Sequence, residues 1–467
     1  MSDRFVGEIS VIDWTNLPEV ILGNIFRHLP TVDRLSIGTV CVAWENAANR
    51  PEVWECFDFS EKDVDEFGNN LDLLRSELFF SDFDGSIQEA IIDTYISVIK
   101  QFGRSFRQVN VLFKGRNSNR ILYTLSDCCC NITHLSLQRL PQNVQVVRNH
   151  DSSHRQAVYN IIQRNTKLDE LVVRDIDNYA DSQQKCPLPL GASHSCAIKA
   201  LTIIQSFQSC NLGNFMYLVN LQELALEPHF LSYSLLHHLA GKSLRVLHIL
   251  AVSKHMEFYN EALQDWQWRE IKKQGPKLCV HCLFRVSHEW TEKDIILKKE
   301  IPMKCLKYAK YHLLNYPVLT GLVCNYSATL VDFIDFSPYQ KSYELAQGKR
   351  SDQPQINSCI LQIVVSCPLL RTLAVKEVLY SQNVLFMLSV NKNLDILLRE
   401  DQIEYSEFNS PLIHPMSYEE YDLVCRSWMN MENFDFAVLQ LTNRPWQFFE
   451  EGSEIYEGFV KKHLKYL

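Results

Sequence analysis

The densest group of chemically capable side chains is Cys279-Val280-His281-Cys282, with His288 and Cys305 downstream. Thiolate and imidazole are the ligands zinc favours, so this cluster could in principle build a structural metal centre. Closed zinc sites pair two ligand doublets at set spacing, and no second doublet follows here. Alternation along a β-strand is the simpler account, and no metal is expected. Gly241-Lys242-Ser243 resembles the end of a phosphate-cradling loop. Such a loop needs a glycine five residues before Gly241 so that backbone N–H groups can wrap the phosphates. That position is Leu236. Cys128-Cys129-Cys130 could serve a redox switch, or simply fill a helix end against a core. The patterns His-Glu-x-x-His, Gly-x-Ser-x-Gly and Gly-x-Gly-x-x-Gly are absent from the chain. Triads are recognised in space and not along a sequence, so scattered His, Asp and Cys leave that class open. No catalytic residue and no cofactor is expected.

The composition bounds the elements that could position any site. The 467 residues are 46% hydrophobic and 22% charged, the balance of a folded globular chain. That length suits two to four domains or one elongated array. Fifteen glycines is under half the average usage of about 7%. Positions with φ > 0 are therefore scarce, which counts against phosphate loops and tight hairpins and favours long strand-to-helix units. Forty-six Lys+Arg against 55 Asp+Glu leave a net charge of −9. Nucleic acid and anionic membranes attract the opposite sign, so neither is an expected partner. The local cluster Arg104, Arg107, Lys114, Arg116 and Arg120 reads as a solvated face. Residues 1–4 do not open a signal peptide, and Ile360–Val375 is too interrupted to span a membrane. Localisation is expected to be cytoplasmic or nuclear, with the 15 cysteines reduced.

The sharpest pattern lies in the first sixty residues. Asn16 is a candidate N-cap and Pro18 suits a first helical turn. Leu22, Ile25, Phe26 and Leu29 then fall at i, i+3, i+4 and i+7, one apolar helical face that Pro30 ends. A second segment runs from Asp33 to Trp44, and Pro51-Glu-Val-Trp54 follows. Three short helices this apolar cannot bury all their large side chains, and the surplus must face another surface. Leu-Pro, Leu-x-x-Ile-Phe-x-x-Leu, Val-Cys-x-x-Trp and the later Trp54 resemble the F-box, a three-helix hook that docks onto a Skp-type adaptor of a cullin ubiquitin ligase. The resemblance implies adaptor-binding residues Leu17, Pro18, Leu22, Ile25, Leu29, Val40, Cys41 and Trp44, with Phe26 and Trp54 packing the hook itself. Two departures are Glu19, one place earlier than the usual acid, and Arg34, where a Leu is common.

Beyond the hook a template, apolar-x-x-Leu-x-apolar, recurs. Clear copies centre on Leu135, Leu171, Leu201, Leu224 and Leu247, with late copies at Leu373 and Leu397. Weaker ones span Phe106–Val111 and Met303–Tyr308, and degenerate ones Cys279–Phe284 and Leu330–Phe336. The clear copies stand 36, 30, 23 and 23 residues apart, overlapping the leucine-rich-repeat range, in which a short strand carries Leu-x-Leu and a helix returns the chain. Alternation turns Ser136, Val172, Thr202, Ala225 and His248 to the concave side. Cys130 and Cys367 precede templates, where F-box leucine-rich repeats often carry a Cys. The chain thus resembles F-box proteins with a leucine-rich-repeat array, and short stretches such as Lys100–Arg104 and Val364–Leu369 resemble F-box-only proteins thirty-three and thirty-nine.

The expected fold class is α/β: a three-helix F-box, an irregular leucine-rich-repeat solenoid with a curved parallel sheet and outer helices, and a C-terminal cap. The expected domains are 10–57 (F-box), 58–104 (helical connector), 105–400 (repeats) and 401–467 (cap, rich in aromatics such as Trp428, Phe434, Trp446, Phe448 and Phe449). Insertions are expected near 138–160, 176–196, 254–275 and 337–357. The resemblance implies a non-catalytic substrate receptor of a Skp–cullin–F-box ligase, with a Skp-type adaptor, through it a cullin, and a protein substrate as partners. The alternative is a scaffold that binds the adaptor without presenting a substrate for turnover.

Overall fold

The computed structural model describes residues 17–61, 87–113, 116–139, 153–174, 190, 192–194, 196–204, 212–251, 263–284, 297–308, 316–335, 353–375, 377–405, 417–427, 430–449 and 459. They fall into two compact units, one ending at Leu221 and one starting at Gln222.

In the first unit, three short helices, α1 (Glu19–Phe26), α2 (Thr31–Ile37) and α3 (Val42–Ala48), precede a 3₁₀ turn at Pro51–Trp54. Strands and helices then alternate: β1 (Cys56–Ser60), α4 (Ile87–Phe102), β2 (Gln108–Phe113), α5 (Arg116–Cys128), β3 (His134–Arg139), α6 (Ser153–Arg164), β4 (Glu170–Arg174) and β5 (Ala200–Ile204). Each strand pairs in parallel with the next. The second unit continues the plan with β6 (Glu223–Leu226), α7 (Tyr233–Ala240), β7 (Val246–Ala251), α8 (Asp265–Gln274), β8 (Cys279–Phe284), β9 (Met303–Tyr308), α9 (Tyr316–Tyr326), β10 (Asp332–Asp335), α10 (Gln353–Ser366) and β11 (Thr372–Ala374). After β12 (Leu379–Tyr380) and α11 (Ser381–Val390), β13 (Asp395–Leu397) pairs with β11, and β14 (Ile403–Glu404) pairs with β12. The helices α12 (Tyr418–Ser427) and α13 (Met431–Thr442) follow. This is the expected α/β repeat plan, and every quoted template copy contains a strand.

Alternation builds the core. Val109, Leu135, Leu171, Leu201, Leu224, Leu247, Leu306, Phe333, Leu373 and Ile396 turn toward the helices and are buried. In β2, β3 and β4 the intervening Asn110, Ser136 and Val172 are half-buried on the other, open face. Burial of the core side is the main driving force, at about 25 cal/mol per Å² of apolar surface.

Two features differ from the sequence expectation. Strand pairing starts at Cys56, ahead of the array boundary expected at 105, because Cys-Phe-Asp-Phe-Ser alternates without the template's leading residues. Phe57 and Phe59 pack edge-on to Tyr95 of α4, centroids 5.9 and 5.1 Å away, so α4 lies against the first strand. The cysteine buried before β3 is Cys129, and Cys130 is exposed. Cys129 stands three residues before Ile132, as Cys367 stands before Leu370. Leu71, Leu73, Leu74, Leu78, Lys114, Trp428 and most of the expected insertions lie outside the described residues.

The same turn position is polar in some repeats. Asn165 donates to the carbonyls of Cys129 (3.3 Å) and Ile161 (2.7 Å), and its Oδ1 accepts from Ile132 N–H at 2.9 Å. Asn391 donates to Leu370 O at 2.6 Å. Neighbouring turns are thereby tied together where the backbone would otherwise hold unpaired carbonyls.

Candidate functional site: the helical hook and the open strand face

The hook is launched by two prolines. Pro18 caps α1, its carbonyl accepting from Ile21 and Leu22 N–H at 2.8 and 3.1 Å. The cap therefore falls at Pro18 and not at Asn16, which lies outside the described residues. Pro30 does the same for α2, accepting from Asp33 and Arg34 N–H, both at 3.1 Å.

The apolar face expected on α1 divides in two. Leu22 and Phe26, four residues apart, point inward, and Phe26 meets Trp44 of α3 with centroids 5.1 Å apart. Pro18, Ile21 and Ile25, spaced i, i+3, i+7, form a separate exposed stripe. Leu17, Leu29, Cys41 and Trp44 are half-buried, Val40 is 58% exposed, and Leu22 is 0% exposed and adds nothing to the surface. Val20, Ile21, Val32 and Val42 are exposed apolar residues outside the expected set, Val42 at 72%. The i, i+4 spacing of Ile21 with Ile25 was the signal for Ile21.

Arg34, the residue that departs from the usual Leu, is 2% exposed. Its guanidinium donates to Val53 O at 2.5 Å, Cys56 O at 2.6 Å and Thr31 Oγ1 at 2.9 Å, and it lies over the Trp54 ring at 5.2 Å. Burial lowers its pKa, and the nearby Asp58 offsets that. Thr31 Oγ1 also accepts Asp58 N–H of β1 at 2.9 Å. Trp54 donates to Ala48 O at 2.7 Å and stacks on Phe102 with centroids 5.3 Å apart. Phe26 and Trp54 are both buried; Phe26 packs within the hook, while Trp54 and the Arg34 fork tie the hook to α4 and the first strand.

On the open face, Thr202, Ala225 and His248 are buried where Ser136 and Val172 are half-buried. His248 sits opposite His281 across β7 and β8, their rings edge-on at 4.8 Å, and His248 Nε2 lies 3.2 Å from Glu223 Oε1. Burial, with His248 and Lys307 nearby, pushes the His281 pKa down to about 3. His281 is then neutral in the folded chain and charges on unfolding below its ordinary value of about 6.5. Its contribution to stability is full above pH 6.5 and is lost progressively as pH falls toward 3. The urea midpoint is expected to drop between pH 7 and 5, and His281→Gln to flatten that slope.

The sequence's zinc candidates are divided by the strand. Cys282 faces the core opposite Ile249, while Cys279 and His281 share the other face. Cys279 Sγ donates to Arg245 O at 3.2 Å, and His288 lies outside the described residues. Among the described residues no group of three His, Cys, Asp or Glu side chains could hold a metal ion. Gly241 ends α7, the carbonyl end of a helix, which repels phosphate. Burial pushes the Cys129 thiol well up, and the neighbouring Cys128 and Cys130 push it further, so it is a filler and not a nucleophile at neutral pH. Arg120 of the basic cluster pairs with Asp93 at 2.6 Å. No described helix is long and apolar enough to cross a membrane.

Phe434, Ala437, Val438 and Leu441 of α13 are buried, and this helix packs on α11. Phe449 and Phe459 then cover the open-face residues Cys305, Ile334 and Ala374, with Leu397 at the margin.

Comparison with known proteins agrees with this division of the chain. Residues 14–60 match the F-box-like family. "F-box/LRR-repeat protein 21" of Bos taurus is 24% identical over 333 residues, covering 67% of this chain and 71% of the relative. The protein of that name from Mus musculus is 23% identical over 316 residues, covering 64% of this chain and 66% of the relative. An F-box-like domain opens the chain and a leucine-rich-repeat-like domain follows it.

Proposed function

We propose that this chain, an F-box-like domain leading into a leucine-rich-repeat-like array, is the substrate-receptor subunit of a Skp–cullin–F-box ubiquitin ligase. The observation that carries this is the apolar surface of the hook. Pro18, Ile25 and Val40 are exposed and Leu17, Leu29, Cys41 and Trp44 half-exposed, flanked by Ile21 and Val42. Exposed apolar residues grouped on so small an element are a docking surface. A Skp-type adaptor buries them, and through it the chain joins a cullin. Leu22 acts from within, holding the stripe in place by packing. The array presents a protein substrate. Catalysis belongs to the ubiquitin-carrying enzyme that the cullin recruits, and this chain supplies proximity, worth several kcal/mol of barrier. The setting is the cytosol or nucleus.

The test is co-purification with a Skp-type adaptor. Replacing Leu17, Ile25 and Trp44 together by Ala is expected to abolish it. Trp44 also packs on Phe26, so a second variant is confined to exposed positions. Ile25→Asp with Val42→Asp should weaken capture by about 100-fold or more while leaving the fold intact, as burial of two unpaired charges in an interface core demands. Undiminished capture by both variants would sink the reading.

A further inference from the structure

We propose that Tyr405, Phe434, Trp446 and Phe448, with the carboxylate of Asp435, form an aromatic cage that takes the ammonium of a lysine side chain on a protein partner. Local structure brings these residues together. Asn430 caps α13, its side chain accepting Asn433 N–H at 3.0 Å, so Phe434 and Asp435 stand in the first turns of a fixed helix. Asn443 ends that helix in the left-handed conformation, φ 57°, where the chain turns. Arg444 anchors the segment that follows, donating to Asp395 Oδ1 at 2.7 Å and to Lys392 O at 3.1 Å. Trp446 then meets Phe434 with centroids 5.3 Å apart, and Phe448 meets Trp446 at 6.1 Å. Tyr405, next after β14, meets Phe434 at 6.0 Å. The three interplanar angles are 86°, 80° and 83°, so each ring stands nearly square to the next. Phe434 is 0% exposed, while Tyr405, Asp435, Trp446 and Phe448 are half-buried. The cluster thus has a buried floor and rings that reach solvent.

Unmatched polar atoms mark the cluster as a site. Tyr405 Oη, Asp435 Oδ1 and Trp446 Nε1 are shielded from water and have no hydrogen-bond partner. Buried polar groups are nearly always paired, and each one left unpaired destabilises the fold. Other aromatic tips of this chain follow that rule: Trp54 donates to Ala48 O at 2.7 Å and Tyr326 to Lys298 O at 2.9 Å. Three orphans within one aromatic cluster are best explained by a ligand that supplies what they lack. Its charge is positive. Burial raises the Asp435 pKa, and among the described residues no cation offsets it. Burial also raises that of Tyr405, with Asp435 and Glu400 adding to the effect. A carboxylate beside aromatic faces attracts an organic cation from two directions at once. An ammonium N–H gives Asp435 Oδ1 and Tyr405 Oη a donor, and a peptide carbonyl next to that lysine accepts from Trp446 Nε1–H. A guanidinium fork is matched to both oxygens of a carboxylate, whereas Asp435 contributes Oδ1 alone to the unpartnered set. A quaternary ammonium has no N–H to offer. Lysine with at least one N–H is the match.

Trp446 itself reports on occupancy. The full chain is prepared with fluorotryptophan at its 8 tryptophans, and Trp446→Phe identifies the Trp446 signal by fluorine NMR. It is titrated with the peptide Ac-Gly-Lys-Gly-NH2, with its Nε-dimethyl form and with its Nε-acetyl form. Both cationic peptides are expected to move the Trp446 signal saturably, with a Kd at least about 10-fold below that of the acetylated one. Asp435→Asn should weaken both cationic peptides by about 10-fold and leave the other tryptophan signals in place, which shows that the fold is kept. Equal binding of the acetylated peptide would mean an apolar cleft with no charge recognition. A Trp446 signal unmoved by either cationic peptide at about 10 mM would mean that the three polar atoms meet water alone. Undiminished binding by Asp435→Asn would place the cation elsewhere. Any of these three results overturns the cage. None of the arms involves a Skp-type adaptor, so the ligase reading and the cage can fail separately.

Discussion

Arg34→Ala is expected to cost the hook about 2–4 kcal/mol, the net of several opposing effects. The substitution strands the carbonyls of Val53 and Cys56, which lose a charged donor in a buried setting, and it leaves a gap over the Trp54 ring. Each such unpaired group costs about 1–3 kcal/mol, and relief of the buried charge returns part of that. Lysine should recover little. One ammonium cannot span two backbone carbonyls and a hydroxyl with the planar fork that guanidinium provides. Because α2 is tied through Arg34 to the turn before β1 and to β1 itself, the loss should appear as local opening. Amide exchange in α1, α2 and α3 should quicken by roughly 30- to 1,000-fold, while strands β2 to β4 change little. Unchanged exchange in the hook would show that packing of Phe26 and Trp54 suffices without the fork.

Asn165→Ala should be comparably damaging, at about 2–4 kcal/mol. The amide is 0% exposed and satisfies three backbone groups belonging to two successive turns: Ile132 N–H, Cys129 O and Ile161 O. Alanine leaves all three without this partner. Asn165→Asp should be worse than alanine at pH 7. It keeps an acceptor for Ile132 N–H but turns a buried carboxylate toward two carbonyl oxygens, which no proton then separates. In an array where each repeat leans chiefly on its neighbours, the damage should spread to both flanking repeats and broaden the urea transition. A transition as sharp as that of the unaltered chain, shifted by less than about 1 kcal/mol, would mean the turns hold without the amide.

The division between sequence and structure follows from the range of the forces involved. Strands were legible because alternation is local. Leu-x-Leu places two large residues on one side of any extended segment, whatever surrounds it, and even the degenerate Cys279–Phe284 became β8. The helices of the hook were legible for the same reason, through i, i+4 spacing and two prolines that can only start a helix or stop one. The phase within a helix was less so. Leu22 and Ile25 look alike in a list of apolar positions, yet a rotation of 300° over three residues sends one inward and the other to solvent.

Burial of a charge was not legible at all. Arg34 reads as a surface residue until Val53 O, Cys56 O and the Trp54 ring are brought to it from about twenty residues away. Cys129 and Cys130 are equivalent in sequence, and only the end of α5 decides which of them turns under β3. The tail is the extreme case. Its aromatics announce that they must be buried, but nothing in their spacing says where. Composition and periodicity thus determined a short helical hook, which resembles the F-box, followed by an acidic, glycine-poor α/β array. Tertiary structure alone decided which side of the hook stays apolar and exposed, and that Phe449 and Phe459 close the open face over Cys305, because those outcomes depend on contacts between segments far apart in the chain.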